Sequence, residues 1–275
     1  MTDSIEYDVP SGFTAIDADL VSSLEDLPTA PVDLCQVAQA LVVLPDLAAG
    51  FGIPEERLAE KELRGASDIL RALYALDEGS VGQSRPFPDR VVGTCRHFSV
   101  LSCAFLRHRG IAARSRCGFA SYFVPDKFVD HWIVDYWHAG EGRWVRIDPE
   151  ILGFDYVARP ADLEDGEFLS GGEAWTWCRE GRADPSLFGV VGAPHAWGIA
   201  EVRGNAVRDL AALNKVEMLP WDEWGRMESS YNGLTGPEYD NLIDAIAATS
   251  ASNDEASIRQ LYAVEDLAVP ASLLR

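Results

Sequence analysis

The chain has 275 residues, 47% of them hydrophobic and 24% charged, which is enough apolar material for a globular core. Its 44 acidic residues against 23 basic ones leave a net charge of −21. That balance excludes nucleic acid and anionic membrane surfaces as partners, since both demand clustered Lys and Arg.

The opening MTDSIEYDVPSG has no basic segment followed by an apolar run, so no signal peptide is expected. The longest apolar stretches, such as 38–43, fall far short of a membrane span. Five cysteines without CxxC spacing suit a reducing cytoplasm better than a disulfide framework. The Ala-, Asp- and Arg-rich, Lys-poor composition has a bacterial character.

Residues 1–30 read as an irregular entry segment with one amphipathic piece. Segments 31–43 and 54–76 each open with Pro and read as helices, and 77–93 as a long loop. A helix is expected over 95–109, closed by Gly110. Its middle is apolar or small all round, so it should be buried on most sides, with Ser99, Ser102 and Ala104 allowing a sheet to approach. Strands are expected at 113–119, 130–137 and 143–148. One helix followed by several strands indicates segregated α+β. Further on, a Trp-rich helix is expected at 173–181, a strand at 197–203, and a helix capped by Asn205 and running through Lys215. Helices at 237–249 and 254–264 complete the chain. Three segments result: an N-terminal helical region (1–89), a compact core (90–150) and a C-terminal elaboration packed on it (151–275).

Cys95 sits where a loop becomes a helix, and the positive end of the helix dipole favours a thiolate there. A four-residue hairpin loop at 138–141 makes Trp137 face Gly142. Counting back in twos then sets His131 opposite Asp148, with Cβ atoms roughly 5 Å apart. That spacing lets a carboxylate hold one imidazole nitrogen while the other faces a thiol. The opposite face pairs Trp132 with Ile147 and Val134 with Val145, an apolar layer suited to burial.

These residues resemble the transglutaminase-like superfamily. Gly93-Thr94-Cys95, Leu101, Phe105-Leu106-Arg107 and Gly110-Ile111-Ala112-Ala113-Arg114 are similar to its nucleophile helix and following strand. Asp130-His131-Trp132 and Arg143 through Pro149 are similar to its His and Asp strands. The resemblance covers about residues 90–150. It implies a papain-like α+β fold in which a buried nucleophile helix packs on an antiparallel sheet. Cys95 would be the nucleophile, His131 the general base and acid, and Asp148 the orienting group. It also implies an acyl-enzyme intermediate formed from an amide or thioester. Animal transglutaminases bind the oxyanion through a Trp upstream of the nucleophile. Here the first Trp is Trp132, and Gln83 is the nearest upstream amide, so the second oxyanion donor is unassigned.

The expected substrate is a small molecule or a carrier-bound acyl group, with an amine acceptor where transfer replaces hydrolysis. The alternatives are a protein amidase or protease, a crosslinking transglutaminase, and a non-catalytic binding module. Trp132, Asn205 and Arg208 are candidate substrate contacts, Arg208 because a guanidinium can hold a carboxylate or phosphate. No cofactor and no metal are expected, because Cys95, His97 and Cys103 lack the paired clusters of a zinc site. Cys35, Cys103, Cys117 and Cys178 read as structural, His195 as a solvated loop residue, and the acidic run 162–167 as a solvated loop.

Overall fold

The computed structural model describes residues 5–264 and 266–274, so the first four residues of the expected entry segment lie outside it. The chain divides into two units, Glu6–Ser115 with Ile133–Asp162, and Arg116–Trp132 with Leu163–Arg275. Helices and a largely antiparallel sheet make it α+β, as expected.

In the first unit, Pro31 starts α1 (Pro31–Gln39), whose Leu34, Cys35 and Ala38 are buried. The expected helix to residue 43 stops early because Val42–Val43 forms β1, paired in parallel with β2 (Val91–Val92). Two further helices lie between these strands, α2 (Pro45–Ala48) and α3 (Ala66–Leu76). The single helix expected over 54–76 is broken. A 3-10 segment, Glu55–Glu62, ends at an extended Leu63, and Gly65, also extended, precedes α3.

Helix α4 (Cys95–His108) follows β2, and everything from Arg96 to Arg107 is buried. Its small residues make this possible: Ser99 Oγ bonds the Ser115 hydroxyl at 2.9 Å and the Ile133 carbonyl at 2.8 Å. Phe98, Leu101 and Phe105 join Leu34 and Ala38 of α1 in one apolar cluster. Each fully buried Leu or Phe contributes roughly 1.5–3 kcal/mol. Gly110 at φ +71° ends the helix as expected. Buried Arg107 then fastens the N-terminal segment, donating to the Tyr7 and Ala113 carbonyls and to the Thr14 hydroxyl.

Strands β3 (Ala113–Ala120), β4 (Phe128–His138) and β5 (Arg143–Ile147) come next. The β4–β5 register differs from expectation by two residues: Trp137 faces Trp144, and Val134 faces Ile147. The cause is Gly142, which takes φ +65° and donates to the His138 carbonyl, so the turn closes on His138 instead of Trp137. A two-residue offset keeps each side chain on its expected face, and Val134, Tyr136, Val145 and Ile147 are all core residues. One further step along the ladder sets Ile133, and not His131, opposite Asp148.

In the second unit, β3 pairs with β6 (Phe168–Ser170), and the start of β4 pairs with β7 (Phe188–Gly189). Neither β6 nor β7 is expected from sequence. Ser170 caps α5 (Gly171–Arg179) in a reciprocal box with Glu173. A Cβ on Gly171 would lie 2.2 Å from the Asn205 carbonyl carbon, so α5 crosses α6 (Ile199–Leu213) at backbone contact. The strand expected at 197–203 is thus absent. Gly198 at φ +96° ends the preceding loop, and the helix begins at once. Asn205 is therefore a mid-helix residue and not a cap. Helices α7 (Met227–Tyr231), α8 (Pro237–Ser252) and α9 (Glu255–Tyr262) complete the unit, the last capped by Asp254. Among the described residues no helix is long and apolar enough to cross a membrane.

Candidate active site

Cys95 is the first residue of α4 and is half-buried. Two features hold it there. The β1–β2 ladder continues into a bond from the Gly93 N–H to the Val43 carbonyl, 2.9 Å. The Thr94 N–H then donates to His97 Nδ1 at 3.0 Å. That bond makes Nδ1 an acceptor, so His97 is a neutral Nε2–H tautomer. Burial, with the Arg96 charge beside it, pushes its pKa down to about 3.

Asp148, in the same unit as Cys95, is fully buried. It follows β5 and caps the 3-10 turn Pro149–Ile151, its Oδ1 accepting from the Glu150 N–H at 2.9 Å. Gln39 of α1 donates to the Glu150 and Leu152 carbonyls, at 2.9 and 2.8 Å, and α4 packs against the same turn. Beside it lies Cys35, whose thiol burial pushes up to about 12.

His131 lies on β4 in the other unit and is 2% exposed. Phe123 and Tyr122 stand edge-on to its ring, with centroids 4.9 and 6.3 Å away. Trp132 is fully buried, which suits packing, and among the described residues its indole N–H has no hydrogen-bond partner.

Asn205 and Arg208, both on α6, belong to a buried polar network within the second unit. The Asn205 amide nitrogen donates to Asp130 Oδ1 at 2.6 Å and to the Gly118 carbonyl at 3.1 Å. Its oxygen accepts from Arg208 Nη1 at 3.0 Å and from Cys117 Sγ at 3.4 Å. Both ends are thereby engaged and the amide orientation is fixed. Arg208 also pairs with Glu201 at 3.2 Å. The Tyr231 hydroxyl donates to the other Glu201 oxygen. Burial and then Glu201 push the Asp130 carboxyl up to about 6, with Arg208 pulling the other way. Asp209 forms a separate buried pair with Arg116 at 2.8 Å.

Asp130, Glu201 and Tyr231 are not singled out by the sequence reading. Glu201 stands seven residues before Arg208, two helical turns and hence one face, a relation hidden by the expected strand. His195, read as a solvated loop residue, lines the same cavity as Arg208 and Asp130, and so does Trp221. Cys103 and Cys117 are core residues as expected.

No curated protein and no solved structure matches the chain. A family model does, over a segment that holds α3, α4 and the first three strands of the sheet. Residues 67–149 match the family model for the core of the transglutaminase-like superfamily.

Proposed function

We propose that the protein is a cysteine-dependent acyl-transfer enzyme with a papain-like core, acting on an amide or thioester. Cys95 is the nucleophile, His131 the base and acid, and Asp148 the group that orients the imidazole. The observation that carries this reading is that all three fall, in the family's order, inside the matched segment 67–149. Supporting it, Cys95 opens a buried helix whose positive end favours thiolate and oxyanion. A fully buried carboxylate at Asp148 is also what an orienting group requires.

In the reaction, His131 takes the thiol proton as sulfur attacks the acyl carbon. The tetrahedral intermediate collapses as His131 returns that proton to the leaving amine or thiol, leaving a thioester on Cys95. Water, deprotonated by His131, then attacks the thioester carbon and releases the acid and the thiol. An amine in place of water gives transfer. The substrate is a small molecule or a carrier-bound acyl group.

Iodoacetamide alkylation near neutral pH, located by mass spectrometry, tests the nucleophile. Cys95 should react well before Cys35 and Cys178, whose thiols burial holds up at about 12 and about 11. Incubation with amides and thioesters should leave an acyl adduct on the wild type and none on Cys95→Ala. A Cys95 that alkylates only on unfolding sinks the reading and leaves a binding module.

A further inference from the structure

The second unit encloses a cavity of about 670 Å³ in which Asp130 and Arg208 both take part. That volume is in the range of small-molecule sites. All of its lining belongs to this one unit. The polar groups are specifically arranged. Arg208 is 2% exposed and uses Nε and Nη1 on the Asp222 carbonyl, Glu201 and Asn205. Among the described residues its Nη2 has no partner. Asp130 spends Oδ1 on Asn205, and its Oδ2 likewise has no partner among the described residues. One open acceptor and one open donor therefore sit on opposite ends of a single immobilised amide. Glu201, held by Arg208 and Tyr231, has both oxygens engaged. At the mouth stand the exposed Glu223 and Glu228 and the indole of Trp221.

The charges select the ligand. Glu201 offsets Arg208, so Asp130, Glu223 and Glu228 leave the cavity negative. A carboxylate alone would meet several repelling acids. A neutral polyol would leave the Asp130 charge uncompensated beside Glu201. An ammonium neutralises Asp130 and passes an aromatic face at the mouth, where a cation is attracted. The remaining donor on Arg208 then requires an oxygen close to that ammonium. We propose that this cavity is a receptor for the head of an α-amino acid or aminoacyl group, with the α-ammonium on Asp130 and the carbonyl or carboxylate oxygen on Arg208. The site does not depend on Cys95 being a nucleophile, so its test stands apart from the acyl-transfer reading.

The test is isothermal titration of the full chain at neutral pH with L-alanine, its amide L-alaninamide, and two truncated probes, ethylamine and propionate. Alanine and alaninamide should bind, alaninamide at least as tightly because it carries a net positive charge into an acidic site. Ethylamine should bind about tenfold or more weakly, having lost one charge-assisted hydrogen bond, and propionate not detectably. In Asp130→Asn, alaninamide should weaken by about tenfold or more. The double variant Glu223→Gln/Glu228→Gln should weaken alaninamide more than alanine and reduce the salt dependence of binding. The probe series on the wild type decides without any variant. No binding by alanine or alaninamide at millimolar concentration, or ethylamine binding as tightly as alaninamide, overturns the assignment.

Discussion

Asn205 shows how one neutral side chain can organise charged neighbours. Its amide separates Asp130 from the Arg208–Glu201 pair and joins both to the β3 backbone through Gly118. Asn205→Leu leaves the Gly118 carbonyl, Asp130 and Arg208 each one partner short inside the protein. The expected loss is about 2–4 kcal/mol of unfolding free energy, measured by urea titration. Asp130 supplies a pH signature. Its folded pKa, about 6, lies above the ordinary 3.8. The stability it gains by keeping its proton is therefore full below about pH 4 and is lost as pH rises through about 6. Glu201, Arg208 and His131 are the charged or titratable groups acting on it. Asp130→Asn should accordingly gain on the wild type between about pH 4 and pH 7 in paired denaturation curves. A constant gap would show that the carboxyl titrates normally. Sequence reading reached Asn205 and Arg208 as candidate substrate contacts, but placed Asn205 at the cap of a helix that in fact begins at Ile199. Ile199 and Val202 after Gly198 look like strand residues, and burying Glu201 and Arg208 erases the apolar stripe that would have revealed the helix.

At the scale of elements, α4 was the most legible, because its small residues, apolar middle and closing Gly110 all point to one buried helix. The entrance to α4 was not legible, since a two-residue parallel ladder leaves no periodic pattern. A Cβ on Gly93 would lie 2.7 Å from the His97 ring and 3.0 Å from Val42. Gly93→Ala should therefore displace His97 or the ladder, costing about 1–3 kcal/mol in thermal or urea unfolding. In the same protein, alkylation at Cys95 should change rate while Cys178 does not. The β4–β5 register could not be read because it turns on which residue the loop closes, and that depends on one glycine's φ. The faces survived since the offset was even. Strands β6 and β7 are too short, at three and two residues, to carry an alternation.

Across the whole molecule, contacts do not respect the linear segments that composition suggests. The first unit assembles residues 6–115 with 133–162, so α1 and α3 share one core with the β4–β5 hairpin. A fragment of residues 90–150, which holds all three proposed catalytic residues, lacks Leu34, Ala38 and Leu70 against α4 and loses Gln39 from the turn after Asp148. Produced alone, it should lack the cooperative unfolding transition of the full chain, as followed by near-ultraviolet circular dichroism. A sharp transition in the fragment would mean that its core is self-sufficient.

The pairing of Val42–Val43 with Val91–Val92 has a consequence for tolerance to mutation. Main-chain bonds, indifferent to which aliphatic groups flank them, bring residue 93 to its place and with it the thiol two positions on. In a library randomised at these five sites and selected for Cys95 reactivity, the four buried valines should tolerate conservative aliphatic exchange more readily than position 93 tolerates any side chain. Position 93 should come back predominantly as glycine.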